Sequence, residues 1–381
     1  MDETKTIAGI ICPTPFPVKD TVVLGHGSGG KLSAELVRSI FLPAFRNPAL
    51  AKLNDQAVVN VNGTRLAFTT DSFVVKPLFF PGGNIGSLAV HGTINDLAMA
   101  GARPLFLSVA FILEEGFSLS ELRRVVDSLS QAAADAGVQV VTGDTKVVEK
   151  GSGDQLFINT TGIGLVPEGL ELSADQARPG DKILLSGYIG DHGIAILAQR
   201  EGLEFESPIQ SDSAALDGLV AEMLKASAGI PPHDTPTQRV AGTANVPAAG
   251  EPRRAGGAIR CMRDPTRGGL SSALNEIAEQ SKVGIQIEEP TIPIREEVRG
   301  ACEMLGLDPL YVANEGKLIA IVEAAAAEPI LETMRRHPLG RESRLIGTVT
   351  DGSPGTVIMR TTLGTTRIVD MLAGDQLPRI C

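Results

Sequence analysis

Five aspartates in this chain sit beside small or hydroxylated neighbours. They are found in Asn54-Asp55, Thr69-Thr70-Asp71-Ser72, Ile94-Asn95-Asp96, Thr142-Gly143-Asp144-Thr145-Lys146 and Arg263-Asp264-Pro265-Thr266-Arg267-Gly268-Gly269. Carboxylate oxygens suit hard divalent cations, and Mg²⁺ is typically held by one or two carboxylates plus phosphate oxygens. Carboxylates converging from separate loops could therefore hold more than one Mg²⁺ on a triphosphate. Any one such Asp also serves as a cap or turn former. It is the five together, each next to residues that admit a ligand, that point to a site. The stretch 264–269 adds a hydroxyl, a guanidinium and a glycine pair ahead of a helix, which suits an anion at a helix N-terminus. Asp191-His192-Gly193 repeats the idea, although His192 alone reads as structural.

Two further segments have chemical potential. Residues 25–31, Gly-His-Gly-Ser-Gly-Gly-Lys, match GxxxxGK, but Leu32 stands where a P-loop needs Ser or Thr for Mg²⁺. The glycines read either as a backbone that approaches phosphate, with Lys31 as a point charge, or as a flexible turn before a helix. The chain ends Gly374-Asp375-Gln376-Leu377-Pro378-Arg379-Ile380-Cys381. Prenylation is excluded, because that motif places Cys four from the end. Gly374 can hinge, Pro378 stiffens, and Arg379 can pair with phosphate or carboxylate. Nine extended residues reach at most about 30 Å. The adjoining terminal carboxylate disfavours thiolate, so a carrier thiol at Cys381 needs help from its surroundings.

These groups must be positioned by a two-domain scaffold, since 381 residues exceed what one core usually organises. Residues 1–20, with Pro13, Pro15 and Pro17, read as an extended arm. Strands are expected at 66–70 and 105–113, with further buried strands at 138–142 and 156–162. A helix should start at Ser118, which has capping-box spacing to Glu121, and Leu122, Val125, Val126, Leu129 and Ala133 follow at helical period. A second block opens near Gly180, with a strand at 183–186 and a helix after Gly193. Residues 227–258 hold five prolines without apolar periodicity and read as a mobile insert. Leu270, Leu274, Ile277 and Ala278 give the next helix an apolar face. The net charge of −11 argues against nucleic acid or an anionic membrane as partner. There is neither a signal peptide nor a membrane-spanning run. Cys12, Cys261, Cys302 and Cys381 are far apart, which fits a reducing cytoplasm.

Taken together, the segments at 25–31, 79–86, 111–116, 142–148, 264–269, 314–317 and 378–381 resemble the HypE family of hydrogenase-maturation carbamoyl dehydratases. That family lies in the aminoimidazole-ribonucleotide-synthetase-like (PurM-like) superfamily. The likeness runs from about Val23 to Cys381 and departs from the pattern at the insert and the extended N-terminal arm. It implies an α+β (α/β mixed) two-domain architecture: an ATP-binding N-terminal β-sheet domain at 21–170 that forms the homodimer, and an α+β C-terminal domain at 178–352. A segment at 353–381 carries Cys381. ATP would lie in the cleft between the domains. Asp55, Asp71, Asp96 and Asp264 correspond to metal and phosphate ligands. Lys31, Asp144, Lys146, Thr266 and Arg267 correspond to further nucleotide-site residues, and Glu315 and Lys146 to the groups that handle the modified thiol. The implied partners are a HypF-like carbamoyltransferase and a HypC–HypD complex, all in the cytoplasm.

The chemistry expected from this resemblance is ATP- and Mg²⁺-dependent dehydration of an S-carbamoyl group on Cys381 to a thiocyanate, the source of cyanide for a hydrogenase iron centre. Glu315 is the candidate base. Alternatives are a selenophosphate-synthetase-like or other ATP-dependent amide-oxygen-activating enzyme of the superfamily, or a non-catalytic thiol carrier or scaffold. Selenophosphate synthetases carry Cys or selenocysteine in the glycine-rich loop, where this chain has His26 and Ser28, and need no terminal thiol.

Overall fold

The computed structural model describes residues 21–203, 209–229, 257–374, 377 and 379–381. The N-terminal arm at 1–20 and most of the Pro-rich insert lie outside the described residues, as do Asp375, Gln376 and Pro378.

The chain enters through the glycine-rich turn into α1 (Lys31–Leu36), a π-turn (Val37–Phe41) and α2 (Leu42–Ala44). The first sheet follows: β1 (Ala57–Val61) and β2 (Thr64–Phe73), then a small hairpin of β3 (Phe79–Phe80) and β4 (Gly83–Asn84), and α3 (Ile85–Met99). Next come β5 (Arg103–Glu114), α4 (Leu119–Asp135), β6 (Gln139–Val148) and β7 (Leu156–Leu165). The five long strands order as β1-β2-β7-β5-β6, antiparallel except for the β5–β6 pair joined through α4. Ser118 caps α4 by accepting a bond from the Glu121 amide at 3.5 Å, which is half of the expected capping box.

The second half supplies β8 (Lys182–Leu185), α5 (Asp191–Glu201), α6 (Asp217–Ala228), β9 (Ile259–Arg263), α7 (Gly269–Ser281), β10 (Gly284–Glu288), α8 (Glu296–Leu305), β11 (Ile319–Val322) and α9 (Ala327–Arg336). β12 (Arg344–Thr350), β13 (Thr356–Arg360) and β14 (Thr366–Ile368) complete it. Its seven strands order as β14-β13-β10-β12-β8-β11-β9. β11 is buried on both faces, which explains its unbroken apolar run Ile-Ala-Ile-Val. α7 turns Leu270, Leu274, Ile277 and Ala278 inward, as its periodicity requires.

α3 joins the halves. It is apolar on nearly every face, and a helix of that kind must be buried all round. Its Leu97 and Ala98 share one core with Leu184, Met223, Met262, Leu318 and Ile330 of the second half. The Asn84 side chain holds its N-terminus through the Gly86 and Ser87 amides at 2.8 and 3.3 Å. The expectation of a buried strand at 138–142 is corrected here. β6 is the edge strand and is solvent-exposed on both faces, because it lies at the rim of the first sheet with a strand partner on one side only.

Candidate active site

Four of the aspartates converge from four separate elements. Asp55 ends the loop before β1, Asp71 is in β2, Asp96 is near the end of α3, and Asp264 follows β9. The Thr69 hydroxyl donates to Asp96 Oδ2 at 2.6 Å and also lies 3.0 Å from the Asp55 carbonyl. Burial pushes the Asp96 carboxyl well above the usual range, and the charges of Asp264, Asp71 and Asp55 push it further. Asp264 is raised by burial and by Asp55 and Asp71. In Asp55 and Asp71, burial likewise raises the carboxyl, against the opposing guanidinium of Arg263 and Arg267 respectively. Mutual repulsion in a desolvated place is what a cation relieves. Among the described residues no three Asp, Glu, His or Cys side chains close on a point as a ready-made metal cage. The donor set is nevertheless all oxygen, and Mg²⁺ ordinarily completes its shell with water and phosphate.

Arg263 bridges Asp55 and Glu276, and it also donates to the Leu53 carbonyl at 3.2 Å. A cavity of about 150 Å³ opens here, lined by Gly29, Asp55, Asp264, Thr266 and Arg267 among others. It shares Asp55 and Arg263 with a cavity of about 400 Å³ reaching under α1, between Val37 and Phe68. Through Arg267 it meets a third cavity of about 490 Å³, which contains Ser28, Ser72, Tyr311 and Cys381.

The glycine-rich turn has a structural explanation that its sequence did not disclose. Gly29, at φ +72°, would place a Cβ 2.5 Å from the Arg267 carbonyl, and a Cβ on Gly30 would lie 2.2 Å from the Leu372 carbonyl. The glycines thus let the turn pack against both Arg267 and the descending tail. The Gly29 amide donates to Ser33 Oγ at 2.9 Å and the Lys31 amide to Leu372 O at 2.8 Å, so these two N–H groups do not form a phosphate cradle.

The tail runs into the cleft. Ser28 Oγ donates to the Gly374 carbonyl at 2.9 Å. Arg379 pairs with Asp154 at 3.1 Å, and Ile380 forms an antiparallel bridge with Val75. The Val74 amide donates to the Cys381 backbone oxygen at 2.9 Å, and the Lys76 amide to Arg379 O at 3.1 Å. Burial pushes the Cys381 thiol far up, opposed by the Arg267 guanidinium and reinforced by Glu315, which is within hydrogen-bonding reach. The direction matches the sequence reading, but the main cause is desolvation and not the terminal carboxylate. Glu315 is buried, its Oε1 has no hydrogen-bond partner, and burial together with Asp71, Asp264 and Asp212 raises its carboxyl well above the ordinary range.

Three residues of the sequence-derived set stand elsewhere. Lys31 Nζ pairs with the exposed Asp370. Asp144 and Lys146 lie on β6, opposite Ala110 and Ile112 of β5, exposed on the outer face of the sheet. Within one chain they do not meet the carboxylate cluster, which faces inward.

The sequence reading gave no role to Asp212, Ser211 or Arg200, and it took His192 as structural. Asp212 Oδ1 accepts from the Glu315 amide at 3.0 Å and Oδ2 pairs with Lys317 at 3.0 Å, which fixes the backbone that presents Glu315. Its loop, 209–216, has no periodic pattern that could have marked it. Only its polar run Ser211-Asp212-Ser213, lying beside buried apolar residues, offered a signal.

Comparison with known proteins places this geometry. The model for AIR synthase related proteins, N-terminal domain, matches residues 53–166, and the corresponding C-terminal domain model matches 178–360. The carbamoyl dehydratase HypE of Azotobacter vinelandii is 58% identical over 361 residues, covering 95% of this chain and 97% of that protein. A crystal structure of the hydrogenase maturation protein HypE in complex with ATP is 47% identical, with a TM-score of 0.74, and the match covers 95% of this chain and 100% of that one. A HypE–HypF complex is 46% identical with a TM-score of 0.77, over 88% of this chain and 99% of that chain.

Proposed function

The chain belongs to the HypE family of carbamoyl dehydratases, within the AIR synthase related proteins, and from that premise we propose that it dehydrates an S-carbamoyl group on its own Cys381 to a thiocyanate at the expense of ATP. The observation that carries this reading is the position of the Cys381 thiol. It shares a cavity with Arg267, is within hydrogen-bonding reach of the Glu315 carboxyl, and borders the four-aspartate cluster.

In this reading the nucleotide occupies the cavity under α1, with its phosphates toward Asp55, Asp264, Thr266 and Arg267. Asp55, Asp71, Asp96 and Asp264 would hold Mg²⁺, which supplies charge neutralisation for a transferring phosphoryl group. The carbamoyl oxygen on Cys381 attacks the terminal phosphorus, forming an O–P bond and releasing ADP, and the nitrogen gives up one of its two protons to solvent, leaving an O-phosphorylated imidate. Hydroxide is a poor leaving group and phosphate a good one, which is why the triphosphate is needed. Glu315 then takes the remaining N–H proton as the C–O bond to phosphate breaks, and the C≡N bond forms on sulfur. Arg267 offsets negative charge between the thiol and the carboxylates. A buried carboxylate pushed upward is a better base than a solvated one, which suits Glu315 to this step.

We assign the exposed sheet face to a homodimer. Val59, Val61, Phe68, Phe106 and Ile112 are exposed large apolar side chains on the first sheet, and a second copy of that sheet would cover them. The same packing gives Asp144 and Lys146 a place at the partner's nucleotide and thiol. A HypF-like carbamoyltransferase would load Cys381, in keeping with the HypE–HypF neighbour, and a HypC–HypD complex would receive the cyanide. Among the described residues no helix is long and apolar enough to cross a membrane.

Intact-mass analysis of the carbamoylated protein with Mg²⁺ and ATP tests the reading. It should show loss of one water mapped to the last peptide, and Cys381→Ala should show none. Retention of the carbamoyl mass through many equivalents of hydrolysed ATP would overturn it.

A further inference from the structure

His192 was left without a chemical role by the sequence, yet its ring is wholly buried and both of its nitrogens are engaged. Nε2 lies 2.7 Å from the Ile380 carbonyl, and Nδ1 lies 2.8 Å from Ser211 Oγ. A carbonyl oxygen can only accept, so Nε2 carries the hydrogen and Nδ1 accepts from the Ser211 hydroxyl. Ser211 Oγ in turn accepts the Ser213 amide at 3.1 Å. Every donor in this chain has an acceptor, and burial, which holds the imidazole below its ordinary value, keeps it neutral as the tautomer requires.

The surroundings are built to fix this ring. Phe80 meets it edge-on at 5.7 Å between centroids. The Ser211 amide donates to the Pro81 carbonyl at 2.8 Å, and Gly82, at φ +92°, leaves room for Ser211, since a Cβ there would lie 2.8 Å from the Ser211 carbonyl. Gly193, next to His192, is required first by Val312, whose Cγ1 would lie 2.4 Å from a Cβ there, and it also lets Ile380 and Leu377 of the tail approach, at 3.2 and 3.3 Å from that Cβ. On the solvent side, Arg200 donates to the Arg379 carbonyl at 2.7 Å and to the Lys76 carbonyl at 2.9 Å.

We propose that His192 is a positioning residue for the tail: its Nε2–H holds the Ile380 carbonyl, with Ser211 fixing the tautomer, and so sets the Cys381 thiol against Glu315 and Arg267. Asp212, adjacent to Ser211, holds the Glu315 backbone, so one short segment positions the thiol on one side and the acid–base group on the other. The bond to the Ile380 carbonyl is then one of the contacts that must break, with those from Val74, Lys76 and Arg200, before the tail leaves for a loading or receiving partner.

This rests on Cys381 being the carrier, but its test requires neither a carbamoyl group nor nucleotide. The rate of alkylation of Cys381 by iodoacetamide is measured on the full-length protein by peptide mapping. In the docked tail the thiol is only partly exposed, and burial with Glu315 beside it keeps it un-ionised, so wild type should react slowly. His192→Phe, which keeps the ring packing, and Ser211→Ala, which frees the tautomer, should each raise the rate about tenfold, the scale of one net buried hydrogen bond. His192→Gln, which retains a terminal N–H donor, should return most of the wild-type protection. Unchanged alkylation in both His192→Phe and Ser211→Ala overturns the proposal, and Ser211→Ala decides it alone if His192→Phe does not fold. A His192→Gln protein as reactive as His192→Phe assigns the effect to packing and also overturns it. Failure of carbamoylated wild type to lose water, with the alkylation pattern as expected, counts against the dehydratase reading and leaves the positioning role standing.

Discussion

On the inner face of the five-stranded sheet, Thr69, Asp71 and Phe73 look toward α3, which carries Asp96. On its outer face Thr70, Ser72, Asp144 and Lys146 stand in the open with Phe68, Phe106 and Ile112. The same strands build both, and strand alternation alone assigns neighbouring residues to opposite sides. The inner face gathers carboxylates whose repulsion Arg263 and Arg267 only partly offset. The outer face offers a cation and an apolar surface that is exposed among the described residues. The difference is what the proposed homodimer would use: each chain would supply complementary parts of two sites.

The sharpest way to break this comparison is subunit mixing. A heterodimer of Lys146→Ala and Asp96→Asn chains should recover one intact site in two, and so about half the wild-type dehydration, if Lys146 acts across the dimer. Each homodimer should be inactive, and a mixture as inactive as its parents would confine Lys146 to its own chain. Next in size, Glu315→Ala should slow dehydration by about two to four orders of magnitude while calorimetry finds nucleotide binding retained. The ionised form of Glu315 is the base, and burial raises its carboxyl above the ordinary range. The wild-type single-turnover rate should therefore climb with pH above the usual carboxylate region, and that acid limb should be missing in Glu315→Ala.

On the outer face, Phe68→Asp should weaken the dimer by at least tenfold in sedimentation, since burying a Phe is worth about 1.5–3 kcal/mol. Dimers as tight as wild type would show that the face is covered by something else. The smallest effect is on stability. Asp96 and Asp264 are raised when folded, so the folded chain binds more protons than the unfolded one above the unfolded carboxylate pKa. Stability contributed by these groups therefore falls as pH rises from there through the folded values, and at neutral pH they cost stability. Asp96→Asn should raise the Tm of the metal- and nucleotide-free protein by about 1 °C for each kcal/mol of repulsion relieved, and this gain should shrink at acid pH. A lower Tm at neutral pH would mean that the aspartate cluster is not under electrostatic strain.

Much of the scaffold was legible because it depends on local periodicity. Residues 66–70 and 105–113 lie inside β2 and β5, Ser118 caps α4, and the apolar face of α7 is the one its spacing indicates. The strand at 138–142 was readable as a strand but not as an exposed one. A run of Val is equally at home in a core or beneath a second subunit, and sequence does not record which surface is present. The glycines at 29 and 30 read either as a phosphate cradle or as a flexible turn, and only the position of Arg267 and Leu372 revealed the close packing that requires them. His192, Ser211 and Asp212 were not legible as a unit, because their partners Ile380 and Glu315 are more than a hundred residues away.

The sequence by itself determined the residue types the chemistry needs: acidic side chains among small neighbours, an arginine beside a glycine pair, and a thiol at the chain's end. It also marked several of the strands and helices, since backbone hydrogen bonding and the burial of one face are local demands. Only the tertiary structure decided which carboxylates share a place, that Lys31 turns to Asp370, that Asp144 and Lys146 face outward, and that an imidazole grips the residue before the thiol. Convergence of that kind depends on packing between segments distant along the chain, and a buried charge acquires its character from the neighbours that packing gives it.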